Sequence, residues 1–97
     1  MNKCSFLGQV GSILTKVVNG VPVVYLKLSI ENKRQTKITN KIDVETLDFE
    51  AWGTAADVIR KNVRDGDSLL IVDATARRCN HGIRFRINEF RFLNQEL

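Results

Sequence analysis

The fold is decided by the stretch LDFEAWGTAADVIRKNVRDGDSLLIV, residues 47–72, which we predict to hold a strand, one short helix and a second strand in direct succession. Its first six residues alternate between two sets: Leu47, Phe49 and Ala51 against Asp48, Glu50 and Trp52. A period of two residues is typical of a strand with one buried face. We therefore predict that strand three of the chain lies here and that Trp52 belongs to its outer face.

The period changes after Gly53 to that of a helix. Thr54 is predicted to cap the helix, with Asp57 completing a capping box and meeting the positive end of the helix dipole. The apolar side of the helix would hold Ala55, Ala56, Ile59 and Val63, and the polar side Asp57, Arg60, Lys61 and Arg64. We predict that the helix ends at Asp65-Gly66-Asp67, because glycine tolerates the left-handed conformation of a helix stop. Residues 69–72 then form a buried strand.

Length and composition restrict the class of protein. With 97 residues, the chain is expected to be a single domain, residues 1–97, large enough to fold without disulfides or metals. Its longest apolar run, residues 21–26, is too short to cross a bilayer, and no secretory pattern opens the chain. We expect a cytoplasmic protein without membrane contact, nucleoid-associated or from an organelle or a phage-infected cell. Cys4 and Cys79 are too far apart for a CxxC motif and are expected to be free thiols.

The segments before this stretch predict two strands joined by a tight turn. Residues 4–18 are predicted to form one long strand, in which Gly8 and Gly11 indicate a bulge or sharp bend. Asn19-Gly20 tolerates positive φ at two successive positions and predicts a hairpin. The second strand alternates between two faces: Val24, Leu26, Leu28 and Ile30 on one, and Val23, Tyr25, Lys27 and Ser29 on the other. The polar residues 32–41 follow as a loop or as the exposed tip of a hairpin.

The residues after the stretch 47–72 predict a second hairpin. Strand four continues towards Arg77, and a tight turn at residues 80–82 leads into strand five. The apolar face of strand five would hold Ile83, Phe85 and Ile87. Its alternation breaks at Asn88-Glu89, where we expect a bulge. Strand, strand, strand, helix, strand, strand is the order of an all-β, five-stranded OB-fold barrel with one short helix between strands three and four.

An ordered set of motifs resembles one known family, the bacterial-type single-stranded DNA-binding proteins. The motifs are FLGQV at 6–10, LKLSI at 26–30, AWGTA at 51–55, RDGD at 64–67 and NEFRFL at 88–93. The resemblance covers most of the chain and is weakest in residues 31–45 and 77–86. The family's flexible linker and acidic tip do not follow residue 93, as expected of a shortened relative or of a chain whose tail was removed. The chain thus resembles a divergent member without the acidic C-terminal tail.

The resemblance implies an OB barrel that assembles as a homotetramer or dimer. It also implies that the protein wraps single-stranded DNA without strong sequence preference, in replication, repair or recombination. RNA is a further candidate ligand. Two basic clusters fall in loops that an OB fold uses to hold a strand: Lys33, Arg34, Lys37 and Lys41 between strands two and three, and Arg77, Arg78, Arg84 and Arg86 on the last hairpin. Phosphate contacts there would give salt-dependent, sequence-tolerant affinity, and Lys27 would add to them. A solvated charge run is the alternative for either cluster.

Aromatic residues that could stack on bases are few. Tyr25 and Trp52 are the two that we expect on the outer face, where each could form a stacking platform. Trp52 could instead plug the barrel beneath Ile59. Members of the family commonly carry aromatics where this chain has Thr46 and Cys79.

The acidic residues of strand three favour a second function. Asp48 and Glu50 share the face of Trp52, and their carboxylates would repel a phosphate backbone. The alternative is therefore an OB-fold protein–protein adaptor of the primosomal replication-restart type, with weak nucleic-acid binding and replication proteins as partners. We discount catalysis, because His81 is the lone histidine and the sequence has no catalytic triad, metal-ligand cluster or glycine-rich phosphate loop. No cofactor and no metal are expected.

Overall fold

The strands close into a barrel in the order β1-β2-β3-β5-β4. This computed structural model describes residues 4–35, 40–80 and 82–93, and the side chains of residues 5–30, 44–80 and 82–93. Its elements are β1 (Cys4–Val18), β2 (Val21–Gln35), β3 (Asn40–Trp52), α1 (Thr54–Asn62), β4 (Ser68–Cys79) and β5 (Gly82–Phe92). Neighbouring strands are antiparallel except β3 and β5, which run parallel. The predicted OB fold, with one short helix between β3 and β4, is confirmed.

The first strand is bent, as its glycines predict, and the bend lets it pair on both sides. Residues 4–9 pair with β4 and residues 9–18 with β2. The register against β2 shifts at Ser12, which has a positive φ of 54° and forms the bulge. At Gly8 a Cβ atom would lie 2.6 Å from the carbonyl oxygen of Ser29, so only glycine allows this approach of β1 to β2.

The hairpin predicted at Asn19-Gly20 is present, and of the two alternatives for residues 32–41 the described residues show a hairpin. Asn19 and Gly20 have φ angles of 50° and 80°, as a two-residue turn with positive φ at both positions requires. The β2–β3 ladder continues to the pair Gln35 and Asn40. Most of residues 32–41 is therefore strand rather than loop, and the tip of this hairpin lies outside the described residues.

The helix has the predicted apolar side but different ends. Ala56 and Ile59 are fully buried, and Val63 is 6% exposed. Thr54 is the first helical residue rather than the cap; the cap is Gly53, at φ 65° and ψ −128°, without a side-chain capping bond. The capping-box prediction is therefore wrong, because the chain turns out of β3 through a backbone conformation that favours glycine. No helix in the described part of the chain is long and apolar enough to cross a membrane.

The segment after the helix joins it to β1. The helix ends at Asn62, earlier than predicted, since Val63 is already extended. Gly66, at φ 95°, lies in a turn after the helix. The N–H of Gly66 donates to the carbonyl oxygen of Val10 at 2.6 Å. The N–H of Val10 donates to the carbonyl oxygen of Asp67 at 2.7 Å. The segment that we predicted to end the helix, Asp65-Gly66-Asp67, is therefore a turn that is hydrogen-bonded to β1 of the barrel.

Phe49 lies at the centre of the core. Its ring centroid is 5.3 Å from that of Phe6 and 5.4 Å from that of Phe85, and no part of the residue is exposed. The bulge predicted in β5 is confirmed, because the β4–β5 register skips Asn88. Ile83 shares the alternation of Phe85 and Ile87 but is 62% exposed, because it lies at the tip of the β4–β5 hairpin, beyond the core.

Candidate nucleic-acid interface

One outer face of β2 and β3 carries the aromatic candidates. Tyr25 lies opposite Glu50, and Val23 lies opposite Trp52, in the β2–β3 register. Both rings are half-buried on the side opposite the core residue Phe49. Trp52 is thus on the outer face, and the alternative of a ring plugging the barrel is not observed.

Glu50 lies buried at the middle of this face. Its side chain is 1% exposed, although alternation along β3 places it outside the core. Glu50 Oε2 accepts hydrogen bonds from Arg77 Nη1 at 2.7 Å, Arg86 Nε at 3.0 Å and Trp52 Nε1 at 3.1 Å. Arg84 Nη1 lies 3.7 Å from the other carboxylate oxygen. Glu50 therefore shares the face of Trp52, as predicted, but its charge is enclosed by three guanidinium groups, which the sequence did not indicate.

These contacts determine the charge state of Glu50. Burial is the largest influence and by itself raises the pKa of the carboxyl, because it disfavours the charged form. Hydrogen bonds from Arg77, Trp52 and Arg86, with the positive charge of Arg77, outweigh burial and hold the pKa of Glu50 below its ordinary value of 4.5. Glu50 is therefore ionised at neutral pH and stabilises the folded state through its arginines.

We expect this stabilisation to be lost in acid. A carboxyl whose folded pKa is depressed contributes fully above its ordinary pKa, and the contribution disappears as the pH falls through the lower folded pKa. The free energy of unfolding of the native chain should therefore approach that of Glu50→Gln when the pH is taken below 4.5. Urea unfolding of both proteins at several pH values measures this difference. Asp57, whose pKa is also lowered through its bond with Arg60, is present in both proteins and cancels. A difference that stays constant with pH would contradict the prediction.

A cation lies near each aromatic ring on the face. The guanidinium of Arg86 lies 5.0 Å from the ring centroid of Trp52, and that of Arg84 lies 4.7 Å from Tyr25. Lys16 Nζ lies 5.8 Å from the Tyr25 centroid. Such contacts are attractive, and they place positive charge beside surfaces on which bases could stack.

A shallow cavity continues the face past Tyr25. Its volume is about 190 Å³, and it is lined by Ser12, Leu14, Tyr25, Leu26, Lys27, Asp48, Phe49 and Arg84. At its rim, Lys27 Nζ lies 3.0 Å from Asp48 Oδ1, and both side chains are about half exposed. This second carboxylate of the face is therefore also paired, but at the surface.

The structure brings six of the predicted residues together: Tyr25, Lys27, Trp52, Arg77, Arg84 and Arg86. Arg78 is the exposed neighbour of Arg77 on β4. Lys33, Arg34 and Lys41 have their backbone in the β2–β3 hairpin, whereas Lys37 lies outside the described residues.

Sequence reasoning missed Lys16 and the central role of Glu50. The face of Glu50 follows from alternation, but its partners follow from the parallel β3–β5 pairing, in which Glu50 lies beside Arg86. The signal in the sequence was a set of three arginines on the last hairpin: Arg77 on β4, and Arg84 and Arg86 at alternate positions of β5. Cys79 is a free thiol, and within the described ranges no three histidine, cysteine or carboxylate groups are placed to hold a metal ion.

Known proteins resemble this chain in fold but hardly in sequence. No protein-family model and no curated protein sequence matches the chain. Among solved structures, PriB from Ralstonia solanacearum superposes with a TM-score of 0.78 at 17% identity, covering 95% of this chain and 97% of that one. A small single-stranded DNA-binding protein from Streptomyces coelicolor gives 0.78 at 12% identity, covering 97% of each chain. The second single-stranded DNA-binding protein of Mycobacterium smegmatis gives 0.76 at 10% identity, covering 93% of this chain and 86% of that one. The chain is therefore a divergent OB-fold protein with the architecture seen in single-stranded DNA-binding proteins.

Proposed function

We propose that this protein binds single-stranded DNA, without sequence specificity, through the outer face of β2, β3 and the β4–β5 hairpin. The observation that carries the proposal is the placement of Tyr25 and Trp52 on one face, each with a guanidinium over its ring. Single-strand binders combine aromatic stacking surfaces with positive charge along the backbone of the strand. This face offers both within one surface.

The charge of the face supports the proposal. Among the described side chains of this face, two are carboxylates, Asp48 and Glu50, and both are paired with cations. The cations outnumber them: Lys16, Lys27, Arg77, Arg84 and Arg86. The net positive charge favours a polyanion and would make binding sensitive to salt. Fold likeness adds to this, since two of the similar structures are single-stranded DNA-binding proteins. We place the protein in replication, repair or recombination on DNA in the cytoplasm, with RNA as a further ligand to test.

A binding assay tests the proposal. Fluorescence anisotropy of labelled oligo-dT, oligo-U and a duplex of equal length should give tight binding to oligo-dT and much weaker binding to the duplex. Affinity should fall linearly with the logarithm of salt concentration. Absence of binding to oligo-dT at low salt would overturn the proposal.

Charge reversal in the β2–β3 hairpin should weaken this binding. The triple change Lys33→Glu, Arg34→Glu and Lys37→Glu removes three candidate phosphate contacts, and each is worth about 0.7 in the slope of log affinity against log salt. We expect the slope to fall by about 2. A matched control reverses three charges on and after the helix, Arg60, Lys61 and Arg64, and should change the slope far less. Equal slopes for the two triple variants would place the binding surface elsewhere.

A second function is supported by apolar side chains on another part of the surface. Leu7, Val44 and Leu93 are 55%, 58% and 47% exposed and line one groove, together with residues of β1, β2 and β4. Exposed apolar patches often mark protein contacts. The alternative is therefore the OB-fold adaptor of the primosomal replication-restart type, which would contact replication proteins and bind nucleic acid weakly. Fold likeness does not separate the two, since PriB and the Streptomyces protein both superpose with a TM-score of 0.78.

We further propose that the chain assembles with copies of itself. Among the described residues, positions 11–18 of β1 pair with β2 on one edge only, because the β4 register ends at Gln9 and Val10 bonds to Gly66 and Asp67. Leu14 and Val17 on this segment are 52% and 71% exposed. An unpaired strand edge with apolar side chains is commonly covered by a second copy.

Light scattering at micromolar concentration should therefore give the mass of a dimer or tetramer. Leu14→Glu with Val17→Glu should shift the mass towards that of the monomer, because the charges would be buried in the contact. Val44→Glu, which changes a similarly exposed apolar residue on β3, serves as the control. A monomer mass for the unmodified chain would contradict the proposal.

A further inference from the structure

We infer that Glu50 is a positioning residue that holds Arg77, Arg86 and Trp52 in a preformed site for a phosphodiester of single-stranded nucleic acid. This inference rests on the proposed function and assigns to a buried carboxylate a favourable role in binding an anion. The residues come from three strands, since Arg77 and Arg86 lie 27 and 36 positions from Glu50 in the sequence. Only the closed barrel brings them together.

A single oxygen atom connects the stacking ring with the two arginines. Glu50 Oε2 accepts from Trp52 Nε1, Arg77 Nη1 and Arg86 Nε at 3.1, 2.7 and 3.0 Å. Arg86 also lies over the Trp52 ring at 5.0 Å. The ring and both guanidinium groups are therefore fixed relative to one another before any ligand arrives.

The arginines remain able to contact a ligand. Their side chains are 49% exposed for Arg77, 43% for Arg86 and 28% for Arg84, whereas that of Glu50 is 1% exposed. A guanidinium has five N–H donors in a fixed fork, and a carboxylate beneath it takes only part of them. Three such groups around one carboxylate leave a net positive charge that faces solvent. A phosphodiester oxygen, which accepts hydrogen bonds from this fork geometry, is the matching ligand.

Glu50 favours binding because it orders the arginine side chains before the ligand arrives. A free arginine side chain loses rotamer freedom when it binds phosphate, and that loss weakens the complex. Glu50 holds two of these side chains in place in the folded protein, so the loss occurs on folding rather than on binding. The negative charge of Glu50 opposes the phosphate, but it lies beneath guanidinium groups that stand between the two.

Asp48 provides a contrast on the same strand and the same face. Its side chain is 47% exposed, and its ion pair is with the exposed Lys27 at 3.0 Å. Loss of a carboxylate that merely repels DNA should tighten binding. Asp48→Asn and Glu50→Gln remove the same charge by the same chemical change. If Glu50 is a positioning residue, Asp48→Asn should raise the affinity for oligo-dT, and Glu50→Gln should lower it.

The test measures oligo-dT affinity by anisotropy across a salt series for the unmodified chain and both variants. We expect Asp48→Asn to bind about two- to fivefold more tightly, the range of an exposed ion pair. Glu50→Gln should bind about tenfold more weakly, the cost of one charge-assisted contact. Its salt slope should flatten by about 0.7, the value of one phosphate on a single strand. Quenching of Trp52 emission by oligo-dT should also decrease, which a general loss of stability in a folded variant would not cause.

The outcomes separate this inference from the proposed function. Binding by Glu50→Gln that equals or exceeds that of the unmodified chain overturns the positioning role and leaves single-strand binding intact. Failure of the unmodified chain to bind oligo-dT overturns both.

A second pair of variants keeps the test decisive if Glu50→Gln does not fold. Arg77→Lys retains the charge but loses the fork, and we expect about three- to tenfold weaker binding. Arg64→Lys makes the same change at an exposed arginine after the helix, outside the proposed face, and should stay within about twofold. Unchanged affinity in Arg77→Lys overturns the inference.

Discussion

Replacing Phe49 with alanine is expected to lower the free energy of unfolding by about 3 to 5 kcal/mol. Phe49 has no exposed surface, and its ring packs against Phe6 and Phe85 at centroid distances of 5.3 and 5.4 Å. It also lies in the β3–β5 pair that closes the barrel, opposite Phe85. Alanine would leave a cavity at the point where strands distant in sequence meet.

Urea unfolding followed by circular dichroism measures this loss. Since domains of this size are stable by about 5 to 15 kcal/mol, the loss is a large share of the total, and the variant should unfold at a much lower urea concentration than the unmodified chain. Val44→Ala is the control, because Val44 is an apolar residue of the same strand that is 58% exposed, and it should change stability by about 0.5 kcal/mol or less. A loss below about 1 kcal/mol for Phe49→Ala would contradict the central place of this ring in the core.

Replacing Trp52 with alanine is expected to weaken oligo-dT binding by about 1 to 3 kcal/mol, the contribution of one base stacked on an aromatic ring. The half-buried ring on the outer face is the reason to expect a base there. Since the indole N–H also donates to Glu50, alanine removes one of the bonds that orient the arginine cluster. Both effects reduce affinity.

Trp52→Phe separates these two contributions. Phenylalanine keeps a stacking ring but has no N–H for Glu50, so it should recover most of the affinity lost in Trp52→Ala if stacking dominates. In the unmodified chain, titration with oligo-dT should quench the emission of Trp52, the single tryptophan of the sequence. Normal affinity in a folded Trp52→Ala variant would remove the stacking role and favour the adaptor function.

The two carboxylates of β3 show that the effect of a charge on ligand binding depends on its surroundings as well as on its sign. From the sequence, Asp48 and Glu50 both count against binding a polyanion. In the structure, Asp48 pairs with Lys27 at the surface, whereas Glu50 is enclosed by arginines from β4 and β5. Identical charges on one strand face can therefore oppose or support the same ligand, according to what lies between them and solvent.

Local patterns in the sequence were sufficient for the order of the elements. Alternation placed Trp52 and Tyr25 on the outer face, the Asn19-Gly20 pair predicted its hairpin, and the bulge at Asn88 followed from a break in alternation. These features depend on residues within a few positions of each other, because side-chain direction in a strand and backbone conformation in a tight turn are local properties.

Features that depend on the neighbouring element needed the tertiary structure. The cap of α1 falls on Gly53 because β3 turns sharply into the helix, and Ile83 is exposed because it lies at the tip of its hairpin, beyond the core. Above all, the partners of Glu50 were not visible in the sequence. A period of two residues determines which face a side chain occupies, but closure of the barrel through the parallel β3–β5 pair decides that arginines 27 and 36 positions away surround this carboxylate.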